Sequence, residues 1–194
     1  MNKLVAALSA TALAAAFALP SFAADSMMSG GHSMGMMKDP MVGGAAMSPS
    51  KNIVQNAVNS KDHTTLVSLV KKAGLVPTLS SAGPFTVFAP TNEAFAKLPA
   101  AAVKKVVSNK ALLTKVLTNH VVAGRLDSKA IAAKIKAGGG TAMLKTVEGG
   151  TLKASMEGGK LVLTDEKGGE STVTIADVYQ SNGVIHVVDS VLMP

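Results

Sequence analysis

Three glycine pairs, Gly149-Gly150, Gly158-Gly159 and Gly168-Gly169, recur about ten residues apart in the second half of the chain. Short runs of strand-forming residues lie between and beside them, among them Thr151–Ser155 and Leu161–Thr164. Glycine tolerates the positive φ that a tight reversal demands, so this punctuation predicts consecutive hairpins and an antiparallel sheet. Ser171–Ala176 and Val184–Val188 supply the last strands.

Upstream of His120 the apolar period is helical instead. Ile53, Ala57 and Val58 share a face over Asn52–Ser60, and Leu66, Leu69 and Val70 share one over Thr65–Lys72. Gly74 stands where a left-handed residue would end that second helix. Phe85–Ala89 reads as a strand stopped by Pro90, with Thr91 or Asn92 capping the next helix. Ala100–Ser108 continues helically after Pro99, and Asn109 caps Lys110–Thr118, whose Leu112, Leu113, Val116 and Leu117 form an apolar face. Val121-Val122 then opens the strand-rich half, which holds one further helix over Ser128–Lys136. Helices first, strands later and no internal repeat predict one α+β unit rather than an alternating parallel fold.

With 194 residues the chain has room for one ordinary domain. Lys3 precedes the apolar stretch Leu4–Leu19, Pro20 ends it, and Ser21-Phe22-Ala23 offers the small residues that a signal peptidase reads. At about 16 residues the stretch is short of the roughly 20 that span a bilayer, so residues 1–23 are expected to be a cleaved secretory signal. No later segment reaches spanning length, which predicts a mature protein soluble outside the cytoplasm. The absence of cysteine excludes disulfides, a lipid-anchored cysteine, a thiol nucleophile and a thiolate metal site, so stability must come from a buried core. The net charge of +7 is scattered, with pairs at Lys71-Lys72 and Lys104-Lys105. Without tryptophan, and with a single tyrosine, the chain lacks the stacking aromatics that accompany nucleic-acid binding. Such charge suits solvated helix faces or weak attraction to anionic lipids, wall polymers and acidic glycans.

Three blocks carry a family likeness. FTVFAPTNEAFAKLP (Phe85 to Pro99) and NGVIHVVDSVLMP (Asn182 to Pro194) resemble the two signature blocks of the fasciclin (FAS1) domain family, and LTKVLTNHVVAGRL (Leu113–Leu126) looks like its middle block. The resemblance covers roughly Ser50 to Pro194 and implies an extracytoplasmic adhesion and interaction module. It implies an α+β FAS1 fold, an antiparallel β-sandwich or wedge with helices packed against it. The domain plan is then 1–23 signal peptide, 24–50 flexible Met/Gly/Ser-rich linker, and 51–194 fasciclin-like domain. In the family a Tyr-His motif implicated in adhesion falls at Asn119-His120, where the aromatic is missing and Ala123 replaces the usual proline. Integrin-type recognition therefore does not carry over. An Asp-Val/Ile interaction element corresponds to Asp177-Val178, just before Tyr179, although Asp177 also suits tying down the turn before Asn182-Gly183. Asn119, His120, Asp177 and Val178 are thus the candidate binding residues. His120 and His186 sit among valines, where an imidazole most often satisfies a backbone carbonyl. Thr86, Phe88, Pro90, Thr91 and Phe95 read as core and turn residues.

Catalysis finds no foothold in this pattern. There is no G-x-S-x-G elbow, and Gly138-Gly139-Gly140 lacks the Lys-Ser/Thr of a phosphate loop. The N-terminal tail offers a different chemistry: MMSGGHSMGMMKDPM (Met27 to Met41) places Met27, Met28, His32, Met34, Met36, Met37 and Met41 together, and Met47 follows. Thioethers are soft ligands that favour Cu(I), and a flexible tail can wrap an ion without a preformed cavity. Two readings stand at this level. One is a secreted, non-catalytic interaction and cell-adhesion module of the periplasm or cell surface. It would bind a protein or glycan of the envelope and need no cofactor, nucleic acid or membrane span. The other is a periplasmic Cu(I)/Ag(I)-binding protein that holds copper in its tail.

Overall fold

The computed structural model describes Asp39–Pro194. The expected signal peptide, most of the expected linker and the tail residues Met27, Met28, His32, Met34, Met36 and Met37 lie outside the described residues. Folded structure begins earlier than composition suggests. Strands β1 (Met41–Val42) and β2 (Ala45–Ala46) pair as a hairpin, with Gly43 and Gly44 at φ 59° and 75°. Two successive positive φ values are what a two-residue type I′ turn needs. Val42 and Met47 are buried in the main core, so the stretch from Met41 to Met47, expected within the linker, belongs to the folded unit. Its strands are too short to show a period, and the glycine pair that reads as linker is the turn itself.

The helical half follows the expected order, but the first helix ends at Ala57 and Val58, expected on its apolar face, is exposed. It comprises α1 (Ile53–Ala57), α2 (Thr64–Ala73), α3 (Val76–Ser80), strand β3 (Phe85–Pro90), α4 (Asn92–Ala96), α5 (Ala100–Ser108) and α6 (Lys110–Asn119). Asn52 and Gln55 form a reciprocal capping box on α1, Thr91 accepts from Ala94 N–H at 3.2 Å, and Asn109 accepts from Leu112 N–H at 3.1 Å. Each such cap contributes about 1 kcal/mol by satisfying amides that the first turn leaves open. Gly74 ends α2 at φ 77°, as its position predicts.

The remaining elements are β4 (Val121–Ala123), α7 (Ser128–Ala137), β5 (Thr141–Lys145), β6 (Thr151–Glu157), β7 (Lys160–Thr164), β8 (Glu170–Gln180) and β9 (Gly183–Val188). They join β3 in a seven-stranded sheet of order β4-β3-β9-β8-β7-β6-β5. The glycine pairs fall at the turns between β5, β6, β7 and β8, so the meander is as expected. One correction concerns direction: β9 runs parallel to β3, pairing from Phe85–Gly183 to Pro90–Val188. Parallel neighbours need a long crossover, and here it is everything between residues 91 and 182. Gly183 meets this constraint, since a Cβ there would lie 2.1 Å from the Phe85 carbonyl oxygen. The sheet curls until its ends meet, with Val122 bridging Thr146 and Val147 N–H donating to Val121 O at 2.7 Å.

β3, β4 and β9 are buried on both faces and divide two cores. Val87, Ala89, Val121, Ile185 and Val187 face the helices α1 to α6. Phe88, Val122 and Val188 face the inside of the curled sheet, which Ile131 and Ile135 of α7 help to fill. The alternation read in Val184–Val188 is therefore real, but both faces are buried because both are covered.

Candidate interaction surface

β8 shifts register against β9 twice, between Val173 and Ile175 and between Ile175 and Val178. Such bulges bend a strand and redirect its side chains. Ile175 and Tyr179 stand 36% and 41% exposed here, while Val173 and Val178 of the same strand are buried. Asp177, in the second shift, takes φ 60°, a conformation that costs most side chains but that Asp tolerates. Its carboxylate accepts from Ser128 N–H at 2.6 Å and from the Ser128 hydroxyl, and its own N–H donates to His186 Nδ1 at 3.3 Å. Asp127 accepts from Ala130 N–H at 2.7 Å, so two carboxylates meet the positive end of α7.

Tyr179 is locked against this helix start. Its hydroxyl donates to Asp127 Oδ2 at 3.3 Å, and the Arg125 guanidinium lies 5.6 Å from the ring centroid while donating to Gln180 O at 2.9 Å. The Ala130 amide holds the Asp127 carboxyl below its usual range; burial opposes it, and Tyr179 and Lys129 add smaller pulls in the same direction as the amide. Burial, then the Asp177 and Asp127 charges, push the Tyr179 phenol up, so at neutral pH it is a neutral donor. The result is an exposed aromatic under a guanidinium, tied to the start of α7.

Behind this face sits His186, fully buried and stacked on Phe88 with ring centroids 5.5 Å apart and planes at 24°. Because Nδ1 accepts from Asp177, Nε2–H donates to Leu126 O at 2.8 Å. Burial pushes the imidazole below its ordinary pKa, against the opposing pull of that carbonyl and the nearby carboxylates.

Of the four candidate binding residues, Asp177 alone reaches the surface, and only partly. Asn119, His120 and Val178 are 3%, 2% and 0% exposed. His120 is not within a strand, as its valine neighbours suggest, but joins α6 to β4. Its Nδ1–H donates to Val116 O at 2.7 Å and its Nε2 accepts from Leu192 N–H at 3.0 Å, so neither nitrogen is left for an outside ligand. The expected role of Asp177 in the turn before Asn182-Gly183 belongs instead to Asn182. That side chain accepts from Ile53 N–H and donates to the Leu79 and Ser81 carbonyls, tying α1 and α3 to the start of β9. The sequence offered no signal joining Arg125 and Asp127 to Tyr179, because a bulge and a helix start bring them together. Of the tail methionines, Met41 is described and is 57% exposed, and among the described residues no group of three or more His, Cys, Asp or Glu is placed to hold an ion.

Asp177→Ala removes both bonds to Ser128 and leaves alanine at a positive φ. It is expected to lower the unfolding free energy by about 2 kcal/mol, read by urea denaturation. Asp177→Asn, which tolerates the backbone and keeps an acceptor, is expected to lose less than half of that. Equal losses would show that backbone geometry and capping contribute nothing here.

The fold agrees with the comparisons. The Fasciclin domain family matches residues 61–194, and the chain belongs to that family. It is similar to protein sll1483 of Synechocystis, 42% identical over 81% of each chain. It also resembles the immunogenic protein MPB70 of Mycobacterium bovis, 31% identical over 82% of this chain and 72% of that one. The cell surface glycolipoprotein MPB83 of the same species is 32% identical over 89% of this chain and 69% of that one. Among solved structures, the FAS1 domain pair of the insect cell adhesion molecule Fasciclin I matches with a TM-score of 0.64 at 18% identity. That match covers 74% of this chain and spans about half, 51%, of the solved chain. The α+β FAS1 fold is thereby confirmed.

Proposed function

We propose that this protein is a non-catalytic adhesion and interaction module that works outside the cytoplasm and binds a protein or glycan of the envelope or a neighbouring cell surface. The observation that carries the reading is the exposed Tyr179 ring, held by Arg125 and Asp127 on a bulged strand. Tyrosine and arginine are enriched at interface hot spots; tyrosine brings large contact area at little entropic cost, and this arginine is already held by the Gln180 carbonyl. Membership in the fasciclin family and the likeness to a cell surface glycolipoprotein and to an adhesion molecule support it. The apolar leader over residues 1–23 would supply export.

The test compares attachment and aggregation of cells that carry the wild-type protein, lack it, or carry Tyr179→Ala with Arg125→Ala. Loss of attachment in the deletion and at least roughly tenfold weaker attachment in the double variant are expected, in line with removal of an interface anchor. Unaltered attachment in the deletion strain would overturn the reading.

A further inference from the structure

β7 and β8 pair only from Val162–Thr172 to Thr164–Glu170, although β7 begins at Lys160 and β8 runs on to Gln180. Beyond Thr172 the two strands part, and β8 keeps β9 as its ladder neighbour. A groove of about 400 Å³ opens in the gap. Lys129 and Ala132 of α7 form one wall, Met156 and Lys160 of the β6–β7 hairpin the other, and Val173 and Ala176 of β8 line it between them. From Asp177 onward the flank of β8 is met by Ser128 and Arg125, and Val173 is buried, so the exposed stretch is Thr174–Ala176.

Lys129 and Lys160 are exposed, and among the described residues neither lies within ion-pair distance of a carboxylate. Glu157 stands opposite Lys160 in the hairpin register, whereas Asp127 and Asp177 near the same end are engaged with the first turn of α7. Met156, 46% exposed, adds a flexible apolar side chain that adapts to what it covers. We propose that this groove takes an extended acidic peptide segment of a partner protein. The segment would lie along Thr174–Ala176 as an added strand, with its carboxylates meeting Lys129 and Lys160. A strand flank without a ladder neighbour is a template for another strand, and the volume is that of ligand pockets, roughly 300–1,000 Å³. A second copy of this chain suits the groove less, since a net charge of +7 sets like charge against like. The inference rests on the interaction-module reading above and gives it a second, chemically defined site.

The experiment titrates the isotope-labelled full chain with an alternating valine–glutamate peptide and with its valine–lysine counterpart, following backbone amides by NMR. The acidic peptide is expected to shift the amides of Gly159–Leu161 and Val173–Ala176. Lys129→Glu with Lys160→Glu, its fold verified by an unchanged spectrum elsewhere, is expected to weaken binding at least roughly tenfold. No binding of the acidic peptide, equal binding of the lysine peptide, or shifts confined to Arg125 and Tyr179 would overturn the groove. A silent titration alongside lost attachment in the Tyr179 variant would remove the groove and leave the adhesion reading standing. Groove binding in a protein whose deletion leaves attachment unaltered would do the reverse.

Discussion

Replacing Phe88 with alanine is expected to lower the unfolding free energy by about 3–5 kcal/mol, the loss typical of a buried aromatic. Phe88 has no exposed surface, lies on β3 between β4 and β9, and fills the inside of the curled sheet with Val122 and Val188. Its ring also stacks on His186, so truncation leaves a cavity beside a buried imidazole that has lost its packing partner. The β3–β9 pairing is parallel and joins the two ends of the domain, which gives the surrounding backbone little freedom to collapse into the void. At roughly 2–4 °C per kcal/mol for a chain of this size, the melting temperature should fall by about 6–20 °C, read by circular dichroism. Val58→Ala, at an exposed position, serves as the control and should change stability by no more than about 0.5 kcal/mol. A Phe88→Ala variant that matches this control would refute the account of the inner core.

Acidification to pH 4.5 is the second large effect expected. His63, His120 and His186 are all buried, and burial is the leading cause that lowers each of their pKa values. For His120 the value falls from the ordinary 6.5 to about 4. Above pH 6.5 both the folded and the unfolded chain hold the imidazole neutral, and full stability is present. Between 6.5 and about 4 the unfolded chain takes up the proton while the folded chain does not, so stability is lost as pH falls through that window. For His120 the loss is on the order of 3 kcal/mol, and the other two histidines act in the same direction. Protonation would also remove the Nε2 acceptor that holds the Leu192 amide, releasing the C-terminal segment from α6. Urea denaturation at pH 7.5, 6.5, 5.5 and 4.5 reads the effect. A flat stability profile over that range would show that these imidazoles titrate normally in the folded chain.

Much of the fold is legible in local patterns because the signals are local. Caps at Asn52, Thr91 and Asn109, the left-handed stop at Gly74, and the glycine pairs between β5 and β8 each act on residues a few positions away. Periodicity placed Leu113, Val116 and Leu117 on a buried face and split Val184–Val188 between two sides of a strand. The β1–β2 hairpin escaped because two-residue strands have no period, and Val42 and Met47 are apolar residues whose burial depends on distant helices. The candidate site was less legible. The family's interaction positions point to Asn119, His120, Asp177 and Val178, yet hydrogen bonding and packing turn three of these side chains inward. Two register shifts in β8 turn Ile175 and Tyr179 outward instead.

The sequence by itself determined most of the elements from α1 onward, their order, the α+β class and, through three blocks, membership in the fasciclin family. It did so because capping, turn geometry and hydrophobic period are properties of short segments. Only the tertiary structure decided that β9 lies parallel to β3, that the sheet curls until β4 meets the end of β5, and that Arg125 covers Tyr179. Each of these joins residues far apart in the chain. Such contacts are selected by the burial of whole faces and the satisfaction of buried polar groups, which no local window contains.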